Sequence, residues 1–395
     1  MPPPRLHAPQ PQPVTFVELF FDLVFVFAVT QVTVSTARDL SAANVVRSLL
    51  LFWLIWWAWT QFTWTLNPAD TTHRLVQTIT LAATAAAFVM SSSVPRAFAD
   101  DALWFALPYL TVRLLGLGLQ VRISAEHAHL NSAGDHADIA GVRRWAGAST
   151  LGLGAVLAGA LVDPPLRNWL WLAAILLDLG AATFAGRGQV WDLSAAHISE
   201  RHGLFVIIAL GESLIVAGSA VASDERTAEL VAAGAAALMV AALLWWTYFD
   251  WFKEALEHQL ANADPTELGR LVRDAYSLAH FPLVFGIIGY AVAVEEIMVH
   301  PDQPAPRRVL LALAAGLVLF NWATVFSYRR LHGQVLVARL VVPALTAVII
   351  AAFPDWPPFW PLVTVAAGLL VLIVLEGQRS QPQPPNTARQ PVEEP

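Results

Sequence analysis

The chain has 395 residues, 56% of them hydrophobic and only 13% charged, and a formal net charge of −7. A charged fraction near half that of ordinary soluble domains, with no basic run and no cysteine, excludes a soluble enzyme, a nucleic-acid binder, a disulfide scaffold and thiolate chemistry. Six stretches (48–69, 75–95, 145–162, 230–249, 309–328 and 356–375) run 18 to 22 residues without Asp, Glu, Lys or Arg, and a seventh, 204–223, holds only Glu212. About 20 such residues cross a bilayer as a helix, so the chain reads as a polytopic membrane protein.

In chain order, residues 1–13 are rich in Pro and Gln and read as a disordered tail. No cleavable signal follows, because the first apolar run, about 16–37, carries Glu18 and Asp22. Further spans are expected at about 44–66, 74–95, 101–122, 145–162, 168–186, 203–222, 229–250, 276–299, 308–328, 335–353 and 357–376. Residues 377–395 return to Pro, Gln and charge as a second tail. The expected fold is all-α, a transmembrane helical domain over 14–376 with about twelve membrane-spanning helices. Its partners are the lipid bilayer and a small solute or ion. No cofactor, metal or nucleic acid is expected.

Twelve spans place both termini on one side. Fourteen Lys and Arg residues fall in loops on that side and seven on the other, with Arg113 and Arg339 inside spans. By the positive-inside rule both termini are cytoplasmic. The two halves, 14–190 and 191–376, also match weakly. Trp56, Trp57, Trp59 and Phe62 end span two, and Trp245, Trp246, Tyr248 and Trp251 end span eight about 189 residues later. Six spans per half would make the repeats parallel, although tryptophan belts recur at any membrane interface.

Ionisable side chains are costly in lipid and persist where they face protein. Glu18 and Asp22, four apart, share one helix face, where two carboxylates cannot both ionise easily. That suits proton exchange or cation coordination, while Glu18 also suits a helix N-terminus. Glu212 lies mid-span among Gly211, Ser213, Gly218 and Ser219, small residues that let another helix approach. It is either a pathway residue or the ion-pair partner of Arg113. Tyr276 and His280 share a face just before Pro282, which loosens the backbone; they are either a pathway pair or part of a kinked, satisfied helix. Asp178 has no local partner and is open to Arg339 or to a ligand. At the cytoplasmic ends, Asp70 and Arg74 bracket a polar turn, and His197, Glu200 and Arg201 share one helical face with His202 beside them. These read as a solvated helix start, a gate or a metal-binding patch. The loop 126–138 has three His and two Asp, but its spacing matches no metal signature. Asp264, Pro265 and Glu267 form a helix start.

With these residues in place, the chain resembles the bacterial low-temperature-requirement A (LtrA) family. The resemblance rests on VELFFDLVFVFAVTQ at 17–31, the Asp70 to Arg74 turn, HISERHGLFVIIALGESLIV at 197–216, WWTYFD at 245–250 and AYSLAHFPLVFGIIGY at 275–290. These blocks run through about two-thirds of the chain in the family's order. The resemblance places the family's characteristic polar positions at Glu18, Asp22, Asp70, Arg74, Glu200, Arg201, Glu212 and His280. It implies a bacterial inner-membrane protein linked by name to growth in the cold, and carries no substrate or reaction.

Three functions follow as expectations. The first is a secondary transporter, with Asp22 and Glu212 binding a proton or cation, His280 and Tyr276 on the pathway, and Arg74 and Arg201 in a cytoplasmic gate. No GxxxxGK[ST] motif for ATP-driven transport occurs. The second is an intramembrane enzyme acting on a lipid or isoprenoid, in which Asp22, Glu212 and His280, with His202 or His197, bind a divalent metal or act as an acid–base set, although no HExxH-type ligand pair is present. The third is a structural or sensor component whose buried charges only fix helix packing.

Overall fold

The computed structural model describes residues 5–8, 12–130, 136–185, 191–223, 226–353 and 355–377. Among them every extended element of secondary structure is a helix, and one isolated antiparallel bridge joins His7 to Ala69. The helices are α1 (Phe16–Arg38), α2 (Ala42–Leu66), α3 (Arg74–Ser93), α4 (Ala102–Leu130), α5 (His136–Ala160), α6 (Leu166–Gly180), α7 (Ala195–Ser223) and α8 (Ala228–Phe249). They continue as α9 (Phe252–Ala261), α10 (Pro265–Val272), α11 (His280–Val299), α12 (Arg307–His332), α13 (Val337–Ala352) and α14 (Trp360–Gly377). Nine helical runs among the described residues are long and apolar enough to cross a membrane; α13 is apolar but shorter. Helices also form at the expected fifth and sixth spans, as α5 and α6. The outward surface is apolar, with Trp104, Trp169, Leu151 and Leu161 all more than 60% exposed. A protein that presents such a face and buries polar groups inside is built for lipid.

Local sequence sets the ends of these helices. Ser41, Thr227 and Asp264 cap α2, α8 and α10 through side-chain oxygens that accept backbone N–H groups. The Asp264, Pro265 and Glu267 start behaves as its composition requires. Gly333 closes α12 at φ 69°, a left-handed conformation that costs glycine nothing. Residues 6–8 lie within the segment expected to be a disordered tail. They make backbone bonds with the turn after α2: Ala8 N donates to the Pro68 carbonyl at 3.0 Å, and Asp70 N donates to the Leu6 carbonyl at 2.7 Å.

The expected ninth span is not one plain helix. A continuous helical run covers Pro265–Val299, interrupted by a π-helical stretch at Arg273–Leu278. The cause is Pro282, whose ring displaces the carbonyl four residues earlier, that of Leu278. The helix accommodates the proline by widening just before it. Freed carbonyls are taken up by side chains, with Ser327 Oγ donating to Ala275 O at 2.6 Å and Trp56 Nε1 to Ser277 O at 2.6 Å.

Helix α11 packs against α12, α7, α1 and α8 and is buried along most of its length. Its contact with α12 is backbone on backbone. A Cβ at Gly286 would fall 2.6 Å from the Gly316 carbonyl oxygen, and one at Gly316 would fall 2.6 Å from that of Gly286. This close approach holds the start of α11 beside α7 and α1.

Candidate functional site

The N-terminal turns of α1 and α7 meet, and their charged residues form one buried cluster. Glu18, Asp22 and Arg201 are all 0% exposed and His197 is 3% exposed. Arg201 bridges the two carboxylates, contacting Glu18 Oε1 at 3.4 Å and making a close ion pair with Asp22. Trp59 of α2 donates its indole N–H to Asp22 Oδ1 at 2.7 Å. Glu18 also caps α1, because its Oε2 accepts the Thr15 backbone N–H and hydroxyl at 3.0 Å each. The two roles open for Glu18, helix start and polar centre, are held by one side chain.

The protonation of His197 is set by Asn67. The Asn67 carbonyl oxygen accepts Ser194 N at 2.7 Å, which leaves its amide nitrogen to donate to His197 Nδ1 at 3.2 Å. His197 therefore carries a proton on Nε2 and donates it to Glu18 Oε1 at 3.1 Å. Two carboxylates, one guanidinium and a neutral imidazole leave the cluster one negative charge in excess. One added proton neutralises it.

Behind Arg201 lies an aromatic stack. The Trp59 ring is 4.9 Å from that of His202, and His202 is 5.0 Å from Tyr276 and 5.1 Å from His280. Tyr276 and His280 lie parallel, 4° apart in plane, and the Tyr248 hydroxyl meets His280 Nε2 at 2.8 Å. His202 Nδ1 donates to the Ile198 carbonyl at 2.9 Å, which leaves Nε2 buried as an acceptor with no partner among the described residues. Tyr276 and Ser277 are neighbours in the π-helical stretch that face different ways. Tyr276 touches His202, whereas Ser277 lines a cavity of about 310 Å³. Trp57, Gln61, Trp64, Trp145 and Trp191 line the same cavity, with the exposed pair Glu267 and Arg270 among its charged groups.

The other buried charges pair separately. Arg113 meets Asp178 through two bonds of 2.9 Å and also holds Gln61 Oε1 at 2.5 Å and the Tyr109 hydroxyl at 2.8 Å. Arg339 pairs with Glu376 of α14 at 2.6 Å and donates to the Thr247 carbonyl at 2.7 Å. Asp178 is thus the partner of Arg113, and neither of the alternative pairings, Glu212 with Arg113 or Asp178 with Arg339, forms.

Glu212 is half-buried and lies eleven residues beyond Arg201 on α7, about 16 Å along the helix at 1.5 Å per residue. It lies in the second half of α7, within electrostatic reach of Glu295, which also feels Arg38 and Glu296. Asp22, Glu212 and His280 therefore do not converge. Glu200 accepts Val14 N at 3.3 Å and anchors the chain entering α1. Asp70 closes its own turn through Thr72; burial pushes its carboxyl up, but the hydroxyl and amide bonds from Thr72 outweigh this and leave it lowered. Arg74 is exposed at the start of α3, so Asp70 and Arg74 lie at the surface, away from the buried cluster. Trp59 and Tyr248 complete the site with Asn67 and His202, and these two aromatic residues do not stand out as site residues in the sequence. The signal that points to Trp59 and Tyr248 is the repeated aromatic block, in which they occupy equivalent places.

The profile of the family described as "Bacterial low temperature requirement A protein (LtrA)" matches residues 13–374. The chain belongs to that family. It is 28% identical to "Uncharacterized protein RA0937" of Rhizobium meliloti (strain 1021), over 87% of this chain and 88% of that protein. No solved structure matches the chain.

Proposed function

We propose that this LtrA-family membrane protein is a secondary transporter that couples movement of a small solute to a proton held by Glu18, Asp22, Arg201 and His197. The observation that carries this reading is the position of the π-helical stretch between two compartments. Tyr276 contacts the stack leading to the charged cluster, and Ser277 contacts the cavity. A solute that displaces Ser277 moves Tyr276, and a proton that changes the cluster acts back through His202. Backbone irregularity at membrane depth is tolerated where it lines a cavity, and π-helical turns collect at functional positions.

The charge count supports a one-proton site. A net charge in a low-dielectric interior is costly, which suits the cluster to take up and release one proton. His197 is held between Asn67 and Glu18 and forms the hinge of that exchange. Glu212, with Glu295 and Glu296, forms an acidic mouth at the far end rather than part of the coupling site. Twelve spans, cytoplasmic termini and a parallel six-plus-six repeat belong to the same reading. The repeat is supported by Trp59 and Tyr248, equivalent in the two halves, each of which hydrogen-bonds the central cluster or stack.

The test uses proteoliposomes holding a pH-sensitive dye, challenged in turn with amino acids, organic acids, amines, sugars and monovalent cations. A solute-dependent pH change in wild type that disappears in Glu18→Gln supports the proposal. Solute movement without any pH change, or no movement with every class, overturns it.

A further inference from the structure

We propose that His7, His127 and Asp192 form a binding site for one divalent transition-metal ion of the zinc type. The three residues come from separate parts of the chain: the N-terminal segment, the end of α4, and the stretch leading into α7. One donor atom from each lies within 4.8 Å of the others. His7 Nε2 is 2.6 Å from Asp192 Oδ2, and the His7 and His127 ring centroids are 4.3 Å apart. The site lies at the ends of helices, with His127 in the last turns of α4 and His7 and Asp192 ahead of α1 and α7, and it shares no residue with the charged cluster.

The donor set selects the ion. Two imidazoles and one carboxylate suit zinc, cobalt or nickel, whereas magnesium and calcium take oxygen ligands almost throughout. Three protein ligands leave a fourth position for water. With metal–ligand bonds of about 2.0–2.1 Å, tetrahedral donors sit about 3.4 Å apart. That spacing lies between the 2.6 Å of the His7–Asp192 pair and the 4.8 Å within which all three donor atoms fall. The ion takes the place of the proton that joins His7 to Asp192, which makes binding weaker as the medium becomes more acidic.

His7 is held in place by its backbone neighbours. Leu6 N donates to Glu126 Oε2 at 2.6 Å, beside His127, and Ala8 N donates to Pro68 O at 3.0 Å. An ion binding here therefore meets donors that are already assembled. It also fastens the segment whose continuation reaches Glu200 through Val14 and Glu18 through Thr15. The metal becomes a clip for the entry to α1.

The experiment uses full-length, tag-free protein in detergent, stripped with chelator and titrated with Co²⁺ and Zn²⁺, with Mg²⁺ as competitor. The expected result is one equivalent of Co²⁺ with visible absorption of a low-coordinate nitrogen–oxygen site, displaced by Zn²⁺ and not by excess Mg²⁺. His7→Ala and Asp192→Asn should each weaken binding at least about tenfold, with unchanged gel-filtration profile and melting temperature in chelator. His7 is half-buried and Asp192 exposed, and neither belongs to a helix, so the variants test the ligands and not the fold. Wild-type protein that takes up no ion overturns the proposal. So does equal binding by the protein carrying both His7→Ala and Asp192→Asn, which would place the ion on other histidines.

Discussion

Asp178 accepts both terminal nitrogens of Arg113 at 2.9 Å, with the two side chains 1% and 0% exposed. The pair joins α4 to α6, and Gln61 brings in α2. Removing one partner leaves an uncompensated charge in the interior, which costs about 3–5 kcal/mol. Asp178→Leu or Arg113→Leu alone should therefore lower the thermal midpoint sharply. The double variant should recover most but not all of that loss, because Gln61 and Tyr109 also lose their partner. A double variant no more stable than either single one would show that the charges do not act as a pair.

Trp59 donates its indole N–H to Asp22 at 2.7 Å. A hydrogen bond to a charged acceptor contributes about 1.5–3 kcal/mol. Trp59→Phe keeps the ring contacts with Trp56 and His202 and removes only the donor, so it should destabilise by about that amount and disturb proton coupling. Equilibrium unfolding and the dye assay in vesicles read the two effects. A loss confined to stability would make Trp59 a packing residue alone.

Helices α11 and α12 touch at Gly286 and Gly316, where an added Cβ would sit 2.6 Å from a carbonyl oxygen. Gly316→Ala should cost about 1–3 kcal/mol, the usual range for an overpacked interior. The backbones must part to admit the methyl group. Gly118, with open space around its Cβ position, is the control: Gly118→Ala should leave the thermal midpoint unchanged or slightly raised. Equal melting of the two variants would refute the close-contact account.

The bond from His7 holds the Asp192 carboxyl below the usual carboxylate value of about 3.9. A lowered folded-state value contributes stability above the unfolded value, and that stability is lost as pH falls through the folded value. In metal-free protein, protease cleavage near residues 5–8 should stay constant from about pH 7 to 5 and rise only below about pH 4. Release already complete at pH 5 would mean that another group governs the contact.

Glu212→Gln should leave solute-driven proton movement in place, at a changed rate, while Glu18→Gln abolishes it. The contrast follows from the separation of about 16 Å along α7. Abolition by Glu212→Gln with coupling intact in Glu18→Gln would move the proton site to the other end of the helix.

Composition and hydrophobic run length alone show a helical membrane protein, because a 20-residue stretch without charge has only one stable environment. The polar residues that repay scrutiny were also legible, since lipid makes each of Glu18, Asp22, Arg113, Asp178 and Arg339 costly unless it meets a partner. Which partner each one meets was not legible. Arg201 joins Glu18 and Asp22 across about 180 positions, Arg113 finds Asp178 across 65, and Arg339 finds Glu376 across 37. Spacing rules reach only three or four residues along a helix. His7, His127 and Asp192 show the same limit at the helix ends, where the histidine-rich loop had no metal spacing of its own. One-dimensional pattern determines which side chains must be satisfied; only the packing of the helices decides what satisfies them, because that depends on which faces come within three ångströms of each other.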